Sequence, residues 1–153
     1  LRDTLPLADT AVRVGVGDAV DGLDARRSWQ QAMVAYRFAD AITEPLVVHE
    51  TLGTLALLAE IDEDRLGADR DVRALCDLAH TRSGAEDIAA LEAVCRTGSL
   101  RQAARVLHRH HSSVASRLSH VEDAMGWHLD DPADRFRARL TLLACRLIDK
   151  LPG

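Results

Sequence analysis

The sequence predicts a mainly helical protein in two parts: a small α+β unit over residues 1–62 and a helical domain over residues 63–153. Three observations predict it. Short β-branched runs, A-V-R-V-G-V from Ala11 and L-V-V-H from Leu46, occur only in the first part, with a helical pattern between them. An acidic, glycine-containing stretch, E-I-D-E-D-R-L-G-A-D-R-D from Glu60, follows and reads as a junction. From Glu86 onward the apolar spacing is helical throughout.

In the first part Val12, Val14 and Val16 alternate with Arg13 and Gly15, the two-residue period of a strand. Gly17-Asp18 ends it and Asp21-Gly22 marks a turn. Asp24 is placed to cap a helix running to about Ile42. Trp29, Ala32, Met33, Tyr36 and Ala39 form its apolar face, and Trp29, Met33 and Tyr36 are expected in the core. Pro45 stops this helix, Leu46 to His49 reads as a second strand, and Thr51 to Ile61 as an apolar, fully packed helix. Two strands alone are marginal in water, so this unit should lean on upstream strands, another subunit or the helices.

The second part divides at its caps and glycines, into about five helices. A helix is expected over residues 71–79, with a break at T-R-S-G before Glu86. Ile88, Leu91 and Val94 give the next helix its buried face. Gly98 ends it, and Ser99 caps Leu100 to Leu107. Ser112 is expected to cap a helix from Ser113 to about Met125, closed by Gly126. Asp131-Pro132 is a cap followed by proline in the first turn, opening a terminal helix to about Leu151. That helix should pack against the first helix or a partner chain.

The chain has 153 residues, 47% of them hydrophobic but only 3% aromatic, so its core must be built from Leu, Val, Ala and Ile. No apolar run is long enough to span a membrane, and no basic-then-apolar leader opens the sequence. It begins at Leu1 rather than Met, which suggests a piece of something longer. Cys76, Cys95 and Cys145 are odd in number and form no C-x-x-C pair, as expected for buried thiols in a reduced, cytoplasmic protein.

Net charge is −5, which taken alone argues against nucleic acid. Its distribution argues the other way. Residues 93–121 contain no Asp or Glu but hold Arg96, Arg101, Arg105, Arg109 and Arg117, with His108, His110, His111 and His120. This island carries +5, so the rest of the chain sums to −10. A basic island in an acidic chain is the footprint of a phosphate-binding face.

Within it, Gly98 to Glu122 reads G-S-L-R-Q-A-A-R-V-L-H-R-H-H-S-S-V-A-S-R-L-S-H-V-E. Two short helices crossing steeply with a tight turn between them need small residues at the crossing, and Ala103 and Ala104 supply these. Leu107, Val114 and Leu118 can form their shared core. The second helix would then expose His110, His111, Ser112, Ser113 and Ser116 on its N-terminal face, as a helix entering a major groove requires. Its free N–H groups would suit a phosphate.

This stretch resembles the C-terminal, Fis-like helix-turn-helix of PucR/CdaR-type bacterial transcription regulators. Gly98, Ser99, Ala103, Ala104, Leu107, His108, His110, Val114, Arg117, Leu118 and Glu122 carry the resemblance, and Gly126 and Leu129-Asp130-Asp131-Pro132 extend it. Upstream, V-R-V-G-V-G from Val12, A-Y-R-F-A-D from Ala35 and P-L-V-V-H-E from Pro45 resemble the end of the degenerate GGDEF-like domain of the same regulators. The resemblance implies a DNA-binding transcription regulator that docks the helix 113–125 in the major groove of double-stranded DNA. It implies an upstream sensor region, where any small-molecule effector would bind, and no cofactor is expected. Because one such unit contacts only a few base pairs, useful specificity calls for a homodimer or a higher assembly. Arg101, Arg105, Arg109 and Arg117 would lie against the DNA backbone, and His111, Ser112, Ser113 and Ser116 against base edges or nearby phosphates. The chain departs from the family pattern at H-H-S-S-V from His110 and at Ala115, Ser116, Ser119 and His120, where the family carries more basic residues. Fewer phosphate contacts mean weaker binding and a flatter salt dependence. Protonated histidines could restore some of that charge.

Other readings are weaker. The H-R-H-H run lacks a matching set of Cys or carboxylate ligands, so no metal site is expected. No G-x-S-x-G elbow accompanies the serines, and no G-G-[D/E]-E-F loop is present, so neither hydrolase nor cyclase chemistry follows. Arg117 can pair with Glu122 or Asp123 instead of a phosphate. The rival function is a helix-turn-helix module for protein interaction or dimerisation that has lost DNA binding.

Overall fold

The computed structural model describes residues 12–39, 45–148 and 151. The chain forms two compact units that divide between Asp62 and Glu63.

The first unit is a strand–helix–strand crossover. β1 (Val14–Val16) and β2 (Leu46–Val48) pair in parallel, with Val14 opposite Leu46 and Val16 opposite Val48. α1 (Ala25–Phe38) connects them and lies directly on β1. Gly15 permits that approach: a Cβ there would fall 2.1 Å from the Ala32 carbonyl oxygen and 2.3 Å from the Tyr36 nitrogen. The loop after β1 is pinned through Asp18, whose carboxylate accepts from Gln31 Nε2 at 2.8 Å and whose carbonyl accepts from Ser28 Oγ at 2.8 Å.

Several expectations for this unit need correction. α1 starts at Ala25 with no side-chain bond from Asp24, and it stops at Phe38; residues 40–44, the expected end of the helix, lie outside the described residues. The large residues of its apolar stripe are not core: Trp29 is 68% exposed, and Met33 and Tyr36 are also exposed, while Ala39 of the same stripe is buried. The helix turns Ala35 and Phe38 inward instead. A two-stranded sheet is too narrow to cover both that inner face and the outer stripe. The segment read as one packed helix is a single turn, α2 (His49–Leu52), followed by a 3₁₀ stretch over Gly53–Glu60. Gly53 adopts φ 52°, which breaks the α-helical path, and no residue of the 3₁₀ stretch is buried.

The second unit contains six helices among its described residues: α3 (Glu63–Ala68), α4 (Arg70–Ala79), α5 (Gly84–Thr97), α6 (Leu100–Val106), α7 (His111–Met125) and α8 (Pro132–Leu147). α3 lies within the stretch read as a junction; only Leu66 among its residues is buried, too weak a signal for periodicity to detect. α4 is capped by Asp69, which accepts from the Asp71 and Val72 amides, and α8 by Asp131, which accepts from Ala133. α5 begins two residues before Glu86 and ends at Gly98, whose φ of 69° is left-handed. α8 ends at Leu147, and residues 149–150 of its expected continuation lie outside the described residues.

α5 is the central helix and touches α4, α6, α7 and α8. Leu75, Leu91, Val114, Val121, Trp127 and Cys145 are fully buried in this core. Each large apolar side chain among them contributes roughly 1.5–3 kcal/mol from burial. α8 packs on α4, where the Cys76 and Cys145 thiols bring their sulfurs to 3.1 Å without a disulfide between them. Arg137 binds Asp71 at 2.5 Å and Arg146 binds Glu92 at 2.7 Å, joining α8 to α4 and α5. Among the described residues no helix is long and apolar enough to cross a membrane.

Candidate nucleic-acid interface

The interface is built on α5, α6 and α7, which pack on one another. Ala103 and Ala104 are buried where α6 meets its neighbours, and Val114, Leu118 and Val121 form the buried face of α7. Ser99 stands at the start of α6 with extended backbone, but its hydroxyl makes no capping bond; Thr97 Oγ1 instead accepts from the Ser99 amide at 3.4 Å.

The turn between α6 and α7 is tight. The Leu107 amide donates to Ala103 and the Arg109 amide to Ala104, while His108 takes φ 51°. A left-handed backbone at a non-glycine residue costs about 1–2 kcal/mol, so the packing on both sides must hold it. The helix that follows starts at His111, two residues earlier than expected. Its cap is His110, not Ser112: Nδ1 accepts from the Ser112 amide at 3.4 Å and lies 2.8 Å from Ser112 Oγ. The His110 and His111 rings stack loosely, with centroids 4.4 Å apart.

This geometry leaves His110, His111, Ser112, Ser113 and Ser116 exposed on the first turns of α7. Arg101 and Arg105 of α6 and Arg109 of the turn are also exposed, and none of the three makes an ion pair among the described residues. They and the serines border the same helix–turn–helix.

Arg117 is placed differently. It turns toward α5 and forms ion pairs with Glu86 and Asp87, the latter at 3.3 Å; neither Glu122 nor Asp123 is its partner. Asp87 is fully buried and also accepts from Ser83 Oγ at 2.9 Å and pairs with His120 Nδ1 at 2.7 Å. Glu122 has another task, accepting from the Leu129 amide at 2.7 Å across the loop to α8. Two groups of the island, the Arg117 guanidinium and the His120 imidazole, are thus held by α5 carboxylates. With histidines neutral, α7 itself carries one Arg, one Asp and one Glu, a net −1. Free fixed charge therefore sits on α6 and the turn. Asp87 escapes a reading of the sequence because it lies ahead of the acid-free window and a carboxylate reads as a surface residue, although its spacing of four and seven residues to Leu91 and Val94 puts it on the buried face of α5.

A groove of about 410 Å³ runs between α5, the turn and the start of α7, with Leu107 and Val114 in its floor and Arg109, Ser113 and Glu86 on its walls. Among the described residues no group of His, Cys, Asp or Glu is arranged to hold a metal ion.

Residues 88–144 match the family model for the PucR C-terminal helix-turn-helix domain. The matched span runs from within α5 through α6 and α7 and most of α8. No curated protein and no solved structure matches the chain. The match supports a helix-turn-helix domain of the kind carried by DNA-binding transcription regulators.

Proposed function

We propose that the second unit binds double-stranded DNA as part of a transcription regulator, with α7 docked in the major groove. The carrying observation is the exposed polar first turn of α7 beside Arg101, Arg105 and Arg109, whose guanidiniums have no ion-pair partner among the described residues. His111, Ser113 and Ser116 face base edges, and Ser112 does so while bridging to the His110 cap. The three arginines hold the DNA backbone, where phosphate contacts position and base contacts specify. Arg117 acts from behind, setting the pitch of α7 through Glu86 and Asp87. One such unit reads only a few base pairs, so useful specificity calls for a homodimer. The function is regulatory rather than catalytic and needs no cofactor. The first unit is read as the end of a GGDEF-like domain, and an effector, if there is one, acts on the region upstream of it.

A second reading is favoured by one observation: the net −1 charge of α7 and the tethering of its only arginine suit a protein-interaction module that no longer binds DNA. Titration of the chain with labelled random duplex DNA at two salt concentrations separates the two. Binding that weakens steeply with salt supports DNA docking, and no binding at low salt by the folded chain supports the interaction module.

A further inference from the structure

α8 is apolar on two faces. Its inner face, with Ala138, Leu142, Ala144 and Cys145, is buried in the second unit. Its outer face carries Phe136, Leu140 and Leu143, a row that ends at the buried Leu147. Phe136 is 69% exposed and Leu140 36%, while Leu143 is half-buried. The steps of four, three and four residues are those of a coiled-coil seam, the pattern by which one helix receives another. Nothing in the packing of the second unit requires a phenylalanine at the exposed end of that seam.

Charge selects the occupant. At 3.6 residues per turn, Arg135 and Arg139 lie along one flank of the seam. Neither makes an ion pair among the described residues, unlike Arg137 with Asp71 and Arg146 with Glu92. Over Pro132–Leu147 α8 holds four Arg and one Asp, a net +3. Two copies of such a helix laid side by side repel in either direction, so the seam is poorly suited to a second copy of itself. DNA offers the matching charge but no apolar ridge for Phe136 and Leu140.

We propose that the outer face of α8 is a docking surface for an amphipathic helix of a partner protein, one that carries acidic residues beside its apolar stripe. Phe136 and Leu140 are the anchors, and Arg135 and Arg139 pair with the partner's carboxylates along one edge. This is the helix-on-helix mode of recognition, read at spacings of three and four residues. It is separate from the DNA reading, because it uses a different helix and different arginines.

The test uses the whole chain and a fluorescein-labelled helical peptide of about three heptads, with Leu at the seam positions and Glu flanking them. Comparators are the same peptide with Lys in place of Glu, and a scrambled peptide of the acidic composition. The acidic seam peptide should raise the anisotropy on titration, and the other two should not. Phe136→Asp and Arg139→Glu should each weaken it about tenfold, as loss of an anchor residue does. Phe136→Ser, which adds no charge, should weaken it in the same direction, with the thermal melt checked in each variant. Random-duplex binding should be unchanged by Phe136→Asp. Equal binding of the scrambled or Lys peptide, or undiminished binding by the Phe136 variants, would place any capture elsewhere and overturn the proposal. So would failure of the acidic peptide to bind, loss of DNA binding in Phe136→Asp, or sedimentation showing a dimer of the unmodified chain that Phe136→Asp dissociates.

Discussion

Asp87 of α5 and His120 of α7 meet at 2.7 Å, Oδ2 to Nδ1, with the carboxylate fully buried and the imidazole half in solvent. Ser83 and Arg117 complete the shell of Asp87, so one acidic side chain in the interior fixes where α7 lies on α5. A buried carboxylate is tolerated only when its oxygens are satisfied in this way.

Removing that carboxylate should destabilise the second unit. Asp87→Ala leaves Arg117, His120 and Ser83 without their shared partner and should lower stability by about 1–3 kcal/mol. Asp87→Asn keeps the shape and part of the hydrogen bonding and should cost less. Urea unfolding followed by circular dichroism measures both. Equal, small losses would show that the network does not hold α7.

The cap of α7 gives a second prediction. His110→Ala removes the acceptor for the Ser112 amide and should cost about 0.5–2 kcal/mol. His110→Ser supplies an ordinary capping hydroxyl and should recover most of it. The neutral ring is the capping form, since a protonated Nδ1 cannot accept. If His110→Ser is as unstable as His110→Ala, capping is not what the ring contributes.

Trp127 is 1% exposed, and its indole Nε1 has no hydrogen-bond partner among the described residues. Leaving such a donor buried costs about 1–3 kcal/mol, so Trp127→Phe gives up ring area but removes that penalty. Its stability should fall within about 1 kcal/mol of the parent, whereas Trp127→Ala should lose about 3–5 kcal/mol through the cavity. Differential scanning calorimetry of the two variants separates these outcomes.

Burial pushes the Cys95 thiol up from 9.0 to about 11, against the pull of Arg139 and Arg135. The folded state thus favours the neutral thiol. Its contribution to stability is complete below 9.0 and is lost as pH rises toward 11. Compared with Cys95→Ala, the parent chain should lose additional stability across that alkaline window. Iodoacetamide at about pH 8 should modify Cys95 slowly in the folded chain and quickly in urea, because the thiolate is the reactive form. Rapid native-state labelling would contradict the assignment.

Much of this architecture was legible in the residues, where local chemistry and packing agree. Gly98, Gly126 and Asp131-Pro132 punctuate the helices of the second unit because left-handed closures and first-turn prolines are local requirements. Ala103, Ala104, Val114 and Leu118 are buried, as the small-residue crossing and shared apolar face read from the sequence require. What was not legible depends on tertiary partners. The Trp29, Met33 and Tyr36 stripe has the spacing of a core face, yet periodicity cannot say whether a surface exists to cover it. The capping role falls to His110 rather than Ser112 because the helix starts at His111, after a turn in which His108 is left-handed, a backbone state that residue type alone does not announce. Arg117 reads as a phosphate contact from its neighbours in sequence, but Asp87 and Glu86, thirty residues away, hold it.

The most direct test of the central claim is the salt dependence of duplex binding, measured by fluorescence anisotropy for the parent chain and for Arg105→Ala, Arg109→Ala and Arg117→Ala. If Arg105 and Arg109 each contact a phosphate, each substitution should reduce the slope of log K against log salt by about 0.9. Arg117→Ala should lower stability and leave the slope nearly unchanged, because its charge is already held by Asp87 and Glu86. Binding that is absent at low salt, or a slope indifferent to Arg105 and Arg109, would contradict DNA docking by this face.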